Sequence, residues 1–98
     1  MGASFRLEGT ATITGRGLVL TGQIAEGRFR IGDIVLLPIG ATIRRERITG
    51  IELGDKRAPD GTMAGFVGLL VGDVPSADIP GLRAALDVGQ LLLIENAT

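Results

Sequence analysis

The chain has no cysteine, histidine, tryptophan or tyrosine. Without cysteine there is no disulfide framework and no thiolate metal site. That fits a reducing compartment. Without histidine or cysteine, the commonest general base, the thiol nucleophile and the soft-metal ligands are missing. The expectation is a non-enzymatic protein with no cofactor and no metal. Lysine is nearly absent too: nine arginines and one lysine stand against eleven acids, for a net charge of −1. Such a balance makes no global field toward nucleic acid or an anionic membrane. Apolar runs stop at four to six residues, far short of the ~20 that cross a bilayer. Met1-Gly2-Ala3-Ser4 does not read as the start of a secretory signal. The expected location is the cytoplasm, with no membrane partner.

What is present is β-like. The 98 residues are 45% hydrophobic and carry 16 glycines spread among valine, isoleucine and leucine. This length reads as one domain over residues 1–98. Glycine-punctuated apolar segments predict many short strands joined by tight turns. A first strand is expected over Phe5 to Ile13, turned by Gly15-Arg16-Gly17 into a return strand over Leu18 to Gln23. Ala25-Glu26-Gly27 makes the next turn. Arg28 to Ile31 alternates, placing Phe29 and Ile31 inward. Gly32-Asp33 turns into an apolar strand, Ile34 to Leu37. A long strand is expected over Ile43 to Leu53, with a bulge near Thr49-Gly50. Gly54 to Gly65 reads as a polar loop and Phe66 to Val71 as a strand. Val74 to Leu86, with Pro75 and Pro80, has room for one helical turn. Gln90 to Ile94 closes the set. The fold class is all-β: a small closed antiparallel barrel of six or seven strands, closure being one way to hide strand edges.

The motifs stand in a particular order. Ile13-Thr14-Gly15-Arg16-Gly17 precedes Val19 and Thr21-Gly22. Gly27 and Ile31-Gly32-Asp33 follow, then Thr49-Gly50-Ile51-Glu52. Ala64-Gly65 with Val67-Gly68-Leu69-Leu70, and Gly89-Gln90-Leu91-Leu92, complete the series. Over about Phe5 to Leu93 this resembles the second, β-barrel domain of translational GTPases such as elongation factor Tu. The resemblance implies the barrel fold and a translation-related binding role. The chain departs from the family in lacking a Gly-x-x-x-x-Gly-Lys-Ser/Thr loop, so no GTP binding is expected. It also carries extra residues at about Pro80 to Val88, which would reshape one end of the barrel.

In elongation factor Tu this domain helps hold the terminal adenosine and aminoacyl group of charged tRNA. The resemblance places that pocket at Glu8, Ile13, Gly15, Glu52 and Leu70. Ile13 and Leu70 would face a base, Gly15 would allow close approach, and Glu8 and Glu52 would accept hydrogen bonds. A basic residue is expected three positions after Glu52; Asp55 stands there, with Lys56 next. The plainer alternative makes Ile13 and Leu70 core residues and leaves both glutamates solvated. Arg16, at the turn tip, reads either as a contact to phosphate or partner carboxylate or as the partner of a neighbouring acid.

Arg28, Arg30, Arg44, Arg45 and Arg47 would form one basic stripe if their strands pair, able to neutralise a few phosphates. No tyrosine or tryptophan interleaves them for stacking, and Glu26 and Glu46 lie among them as pairing partners. Glu52, Asp55, Asp60 and Asp73 match no calcium-loop spacing. Two functions remain. One is an RNA or ribonucleoprotein-binding module with a translation-related protein or RNA as partner. The other is a protein-interaction or homo-oligomer module, burying Ile34-Val35-Leu36-Leu37 or Leu91-Leu92-Leu93-Ile94 against a second copy.

Overall fold

A computed structural model of the chain describes residues 2–57 and 63–97. Seven strands follow one another: β1 Gly2–Ile13, β2 Gly17–Glu26, β3 Ile34–Ile39, β4 Thr42–Arg47, β5 Gly50–Arg57, β6 Met63–Val71 and β7 Leu91–Glu95. Between β6 and β7 lie a 3₁₀ turn, Ser76–Asp78, and a seven-residue helix α1, Ile79–Ala85. The strands make one antiparallel sheet in the order β4-β3-β7-β1-β2-β6-β5.

Alternation decides what this sheet buries. Phe5 and Leu7, Leu18 and Leu20, Val35 and Leu37, Leu69 and Val71, and Leu92 and Ile94 all lie in one core cluster. All are essentially shielded from solvent. Successive residues on a strand point to opposite faces, so every strand of this group contributes one face to the same core. α1 adds Ile79 and Leu82, and Leu86 follows them into the cluster. Burying each such aliphatic side chain is worth about 1.5–3 kcal/mol.

The two outermost strands are consecutive in sequence. Only Ile48 and Thr49 separate β4 from β5, so the sheet must curl to bring its edges together there. Ile48 donates to the Asp33 carbonyl at 2.9 Å and accepts from the Gly32 N–H at 2.8 Å, while the Thr49 N–H bonds Leu70 O at 2.8 Å. The Thr49 hydroxyl also accepts the Gly72 N–H at 2.9 Å. Two residues therefore tie the β3 side of the sheet to the β6 side. Among the described residues no ladder joins β4 to β5, and the sheet is not closed by strand pairing.

Several sequence expectations change. The expected strand over Ile43 to Leu53 is two strands broken at Ile48-Thr49, because both peptide units are used in those bonds. Arg28 to Ile31 is not a strand. Phe29 does turn inward, meeting Phe5 edge-to-face with ring centroids 6.4 Å apart, but Ile31 is 59% exposed. The polar loop is shorter than expected, since β5 runs to Arg57 and β6 starts at Met63; residues 58–62 lie outside the described residues. Val74 to Leu86 holds a 3₁₀ turn and two turns of helix rather than one turn. Among the described residues no helix is long and apolar enough to cross a membrane, which says nothing about crossing by strands.

Candidate functional site

The first turn needs glycine. Gly15 and Gly17 have φ of +80° and +107°, a region that costs an L-residue strain. They project Arg16 outward, and its Nη1 donates to Glu52 Oε1 of β5 at 3.1 Å. Of the two readings of Arg16, the pairing with an acid is the one met in the fold.

The pair sits on the face of the sheet opposite the core. Val19 and Leu70 oppose each other across β2 and β6. Both are buried, yet neither belongs to the core cluster. Around them the sheet is floored by glycine. A Cβ added at Gly68 would stand 3.3 Å from Val19 Cγ1 and 3.7 Å from Glu52 Cβ. One at Gly50 would stand 3.3 Å from Leu70 Cδ2, and one at Gly9 would stand 3.2 Å from Thr21 Oγ1. Gly9, Thr21, Gly68 and Glu52 form one continuous row across β1, β2, β6 and β5. Without side chains at those glycines the outer face is low there, a depression bordered by Thr21, Glu52 and Arg16 with Val19 and Leu70 buried beneath it.

Most residues suggested by the resemblance fall near this depression. Leu70 is buried in it, Glu52 borders it, and Gly15 and Arg16 form the adjoining turn. Ile13 opposes Gly17 at the end of β1 and is half-buried. Glu8 falls at the bulge between Leu7 and Gly9, one residue before the row, and is exposed. The side chains of Asp55 and Lys56, and Asp60 altogether, lie outside the described residues. Val19, Thr21 and the glycines at 9, 50 and 68 went unremarked in the sequence reading as parts of a site. Only their register across three strand pairings, one of them the non-local β2–β6 pair, gathers them.

The five arginines do not make one stripe. Arg28 and Arg30 sit in the loop before β3. On β4, Arg44 opposes Leu37, a core residue, whereas Arg45 and Arg47 oppose Leu36 and Ile34 on the other face. Arg44 bonds Glu46, and its Nη2 bonds Asp78 Oδ2 at 3.0 Å. The hydrogen bond to Glu46, then that to Asp78, raise its pKa above the ordinary value against the opposing effect of burial. Arg45 pairs with Glu95 on β7. Alternation splits the group between two faces, and acids claim two of its members.

A second polar cluster supports the loop that carries Phe29. Asp33 is almost wholly buried. Its carboxylate accepts the Arg30 N–H at 3.0 Å, Asn96 Nδ2 at 2.8 Å and the Ala97 N–H at 2.8 Å. Burial alone would push its pKa up. The bonds from Ala97, Asn96 and Arg30, with the Arg30 charge, outweigh burial and hold it below the ordinary value. This cluster is structural: it pins the chain's last described residues to the turn at Gly32-Asp33.

A cleft of about 830 Å³ lies at the end of the sheet beside α1, between the Thr10–Gly17 segment and the helix. Arg83 of α1 reaches across it to Thr10 and Thr12. Comparison with known protein-family models finds none that matches this chain.

Proposed function

We propose that this chain is a cytoplasmic, non-enzymatic binding module that holds single-stranded RNA, free or within a ribonucleoprotein, on the outer face around Gly68. In this reading the curled sheet is a closed barrel of the translation-factor second-domain type, joined at Ile48-Thr49, and it binds no GTP. One observation carries it. Gly9, Gly50 and Gly68 leave the outer face low over the buried Val19 and Leu70, between a hydroxyl, a carboxylate and a guanidinium. A planar base fits such a surface. Thr21 and Glu52 supply partners for base edges or ribose hydroxyls, and Arg16 is placed for a phosphate. Affinity from so few cations is modest and falls with salt.

The test is fluorescence anisotropy with a labelled single-stranded RNA bearing a free 3′ end, over a range of salt. Binding that weakens with salt, and that Gly68→Val removes while the protein stays folded, supports the reading. No binding at low salt and high protein concentration removes it.

The assembly reading keeps one specific support. On β7, Leu92 and Ile94 are buried while Leu91 and Leu93 stand 46% and 54% exposed on the outer face. Sedimentation velocity across a concentration series separates the two readings. A concentration-dependent dimer that Leu93→Glu returns to monomer favours assembly.

A further inference from the structure

We infer that the cleft between the end of β1 and α1 is a second binding site, built for a small phosphate monoester with an apolar or planar body. It shares the turn at residues 14–17 with the outer-face depression but is otherwise made of different residues. Thr10 and Thr12 oppose Leu20 and Leu18, which are core residues. Cross-strand partners point to one face, so these two threonines point to the core side, where α1 covers the end of the sheet.

The chemistry follows from who donates to whom. Arg83 Nε donates to Thr10 Oγ1 at 3.1 Å, Nη1 to Thr12 Oγ1 at 3.4 Å and Nη2 to the Thr10 carbonyl at 3.4 Å. A hydroxyl that accepts such a bond keeps its own proton for another acceptor. Arg83 has five N–H groups in all, and three bonds to this strand leave donors to spare. Thr14 and Ser76 add hydroxyls to the lining, and Arg16, whose Nη1 is held by Glu52 at 3.1 Å, borders it. Among the described residues no acidic side chain lines the cleft. Asp78, close by in sequence, is occupied by Arg44 at 3.0 Å, and Asp73 lies outside the lining. A site rich in donors and positive in charge selects an acceptor-rich dianion. Guanidinium and hydroxyls together match phosphate.

The opposite wall is apolar. Val74, Ile79, Pro80 and Ala84 form it, and they give a ligand body something to cover. The volume of about 830 Å³ is far larger than an inorganic ion needs. It falls within the range of roughly 300–1,000 Å³ usual for small-molecule sites. The segment Pro80 to Val88, an addition to the pattern the rest of the chain resembles, thus acquires a role: its helix supplies both the arginine and the apolar wall.

The test is an NMR titration of the isotopically labelled wild-type chain with three probes: adenosine 5′-monophosphate, inorganic phosphate and adenosine. The expected result is saturable shifts at Thr10, Thr12, Ser76 and Arg83 with the monophosphate. Phosphate should bind at least tenfold more weakly, and adenosine should leave these signals unmoved. Arg83→Gln should weaken the monophosphate by about tenfold or more, the size usual for losing a charged hydrogen-bond partner. Because Arg83 also tethers α1, Thr12→Val serves as a second variant with the helix arginine intact, and it should weaken binding several-fold. Unmoved signals at these residues with the monophosphate overturn the inference. So does equal affinity for adenosine and its monophosphate, or unchanged affinity in a folded Arg83→Gln protein.

Discussion

Arg16 donates to Glu52 at 3.1 Å across 36 residues of sequence, tying the tip of the first turn to β5. The two side chains are 53% and 46% exposed. A pair this wet contributes little to stability, no more than about 1 kcal/mol. Its position beside Val19 and Leu70 matters more, because it borders the surface proposed for RNA. Arg16→Ala and Glu52→Ala should each move the melting temperature by less than about 5 °C. Each should lower RNA affinity several-fold in the anisotropy assay. A large loss of melting temperature with unchanged binding assigns the pair to structure alone.

Gly68 and Gly22 should respond very unequally to the same methyl group. At Gly68 the nearest neighbour of an added Cβ is a valine methyl at 3.3 Å, so Gly68→Ala should cost under about 1.5 kcal/mol. It should nevertheless weaken RNA binding by raising the floor of the depression. At Gly22 the added Cβ would lie 2.0 Å from the Arg6 carbonyl oxygen. Backbone cannot move aside there without breaking the β1–β2 ladder, and Gly22→Ala should cost about 3 kcal/mol or more. Urea denaturation of both variants checks the contrast.

Asp33 should make stability depend on acid. Its folded-state pKa lies below the ordinary 3.8, so on acidification the unfolded chain takes up the proton first. The contribution of this carboxylate is complete above that unfolded value and is lost as pH falls through it toward the folded one. Asp33→Asn should destabilise by about 1–3 kcal/mol at neutral pH, since a group that accepted three hydrogen bonds now carries an amide. The gap between the two proteins should narrow below about pH 3.8. Thermal melts from neutral pH downward measure it, and a gap that widens on acidification contradicts the assignment.

Leu82, buried on α1, anchors the helix to the core cluster. Leu82→Ala should cost about 2–5 kcal/mol. It should also loosen Arg83 from the Thr10 and Thr12 hydroxyls, which the side-chain NMR shifts of the two threonines and of Arg83 Nε would report.

Much of this fold is legible in the chain. Glycine turns at residues 15, 17 and 32, the alternation of Phe5 to Leu7 and the apolar runs Leu18 to Leu20 and Leu91 to Ile94 mark real turns and strands. The reading failed where tertiary bonds overrode local pattern. Arg28 to Ile31 alternates like a strand, but Asp33 takes the Arg30 N–H and Ile31 is left outside. Ile43 to Leu53 reads as one strand, yet Ile48 and Thr49 bond to different strands and divide it. The site is less legible still. Ile13, Gly15, Glu52 and Leu70 are proposed through resemblance, whereas Val19, Thr21 and Gly9 lie beside them only through cross-strand register. The alternating Thr10-x-Thr12-x-Thr14 was a visible sign of a polar strand face. Nothing in sequence spacing linked it to Arg83, 73 residues beyond Thr10.

The most direct measurement is an NMR titration of the labelled chain with single-stranded RNA, following Thr21, Glu52, Gly68 and Leu70. The account predicts that these signals shift together and saturate, with the β7 outer-face residues Leu91 and Leu93 unmoved. Saturable RNA shifts confined to other surfaces, or no saturable shifts at all, contradict it.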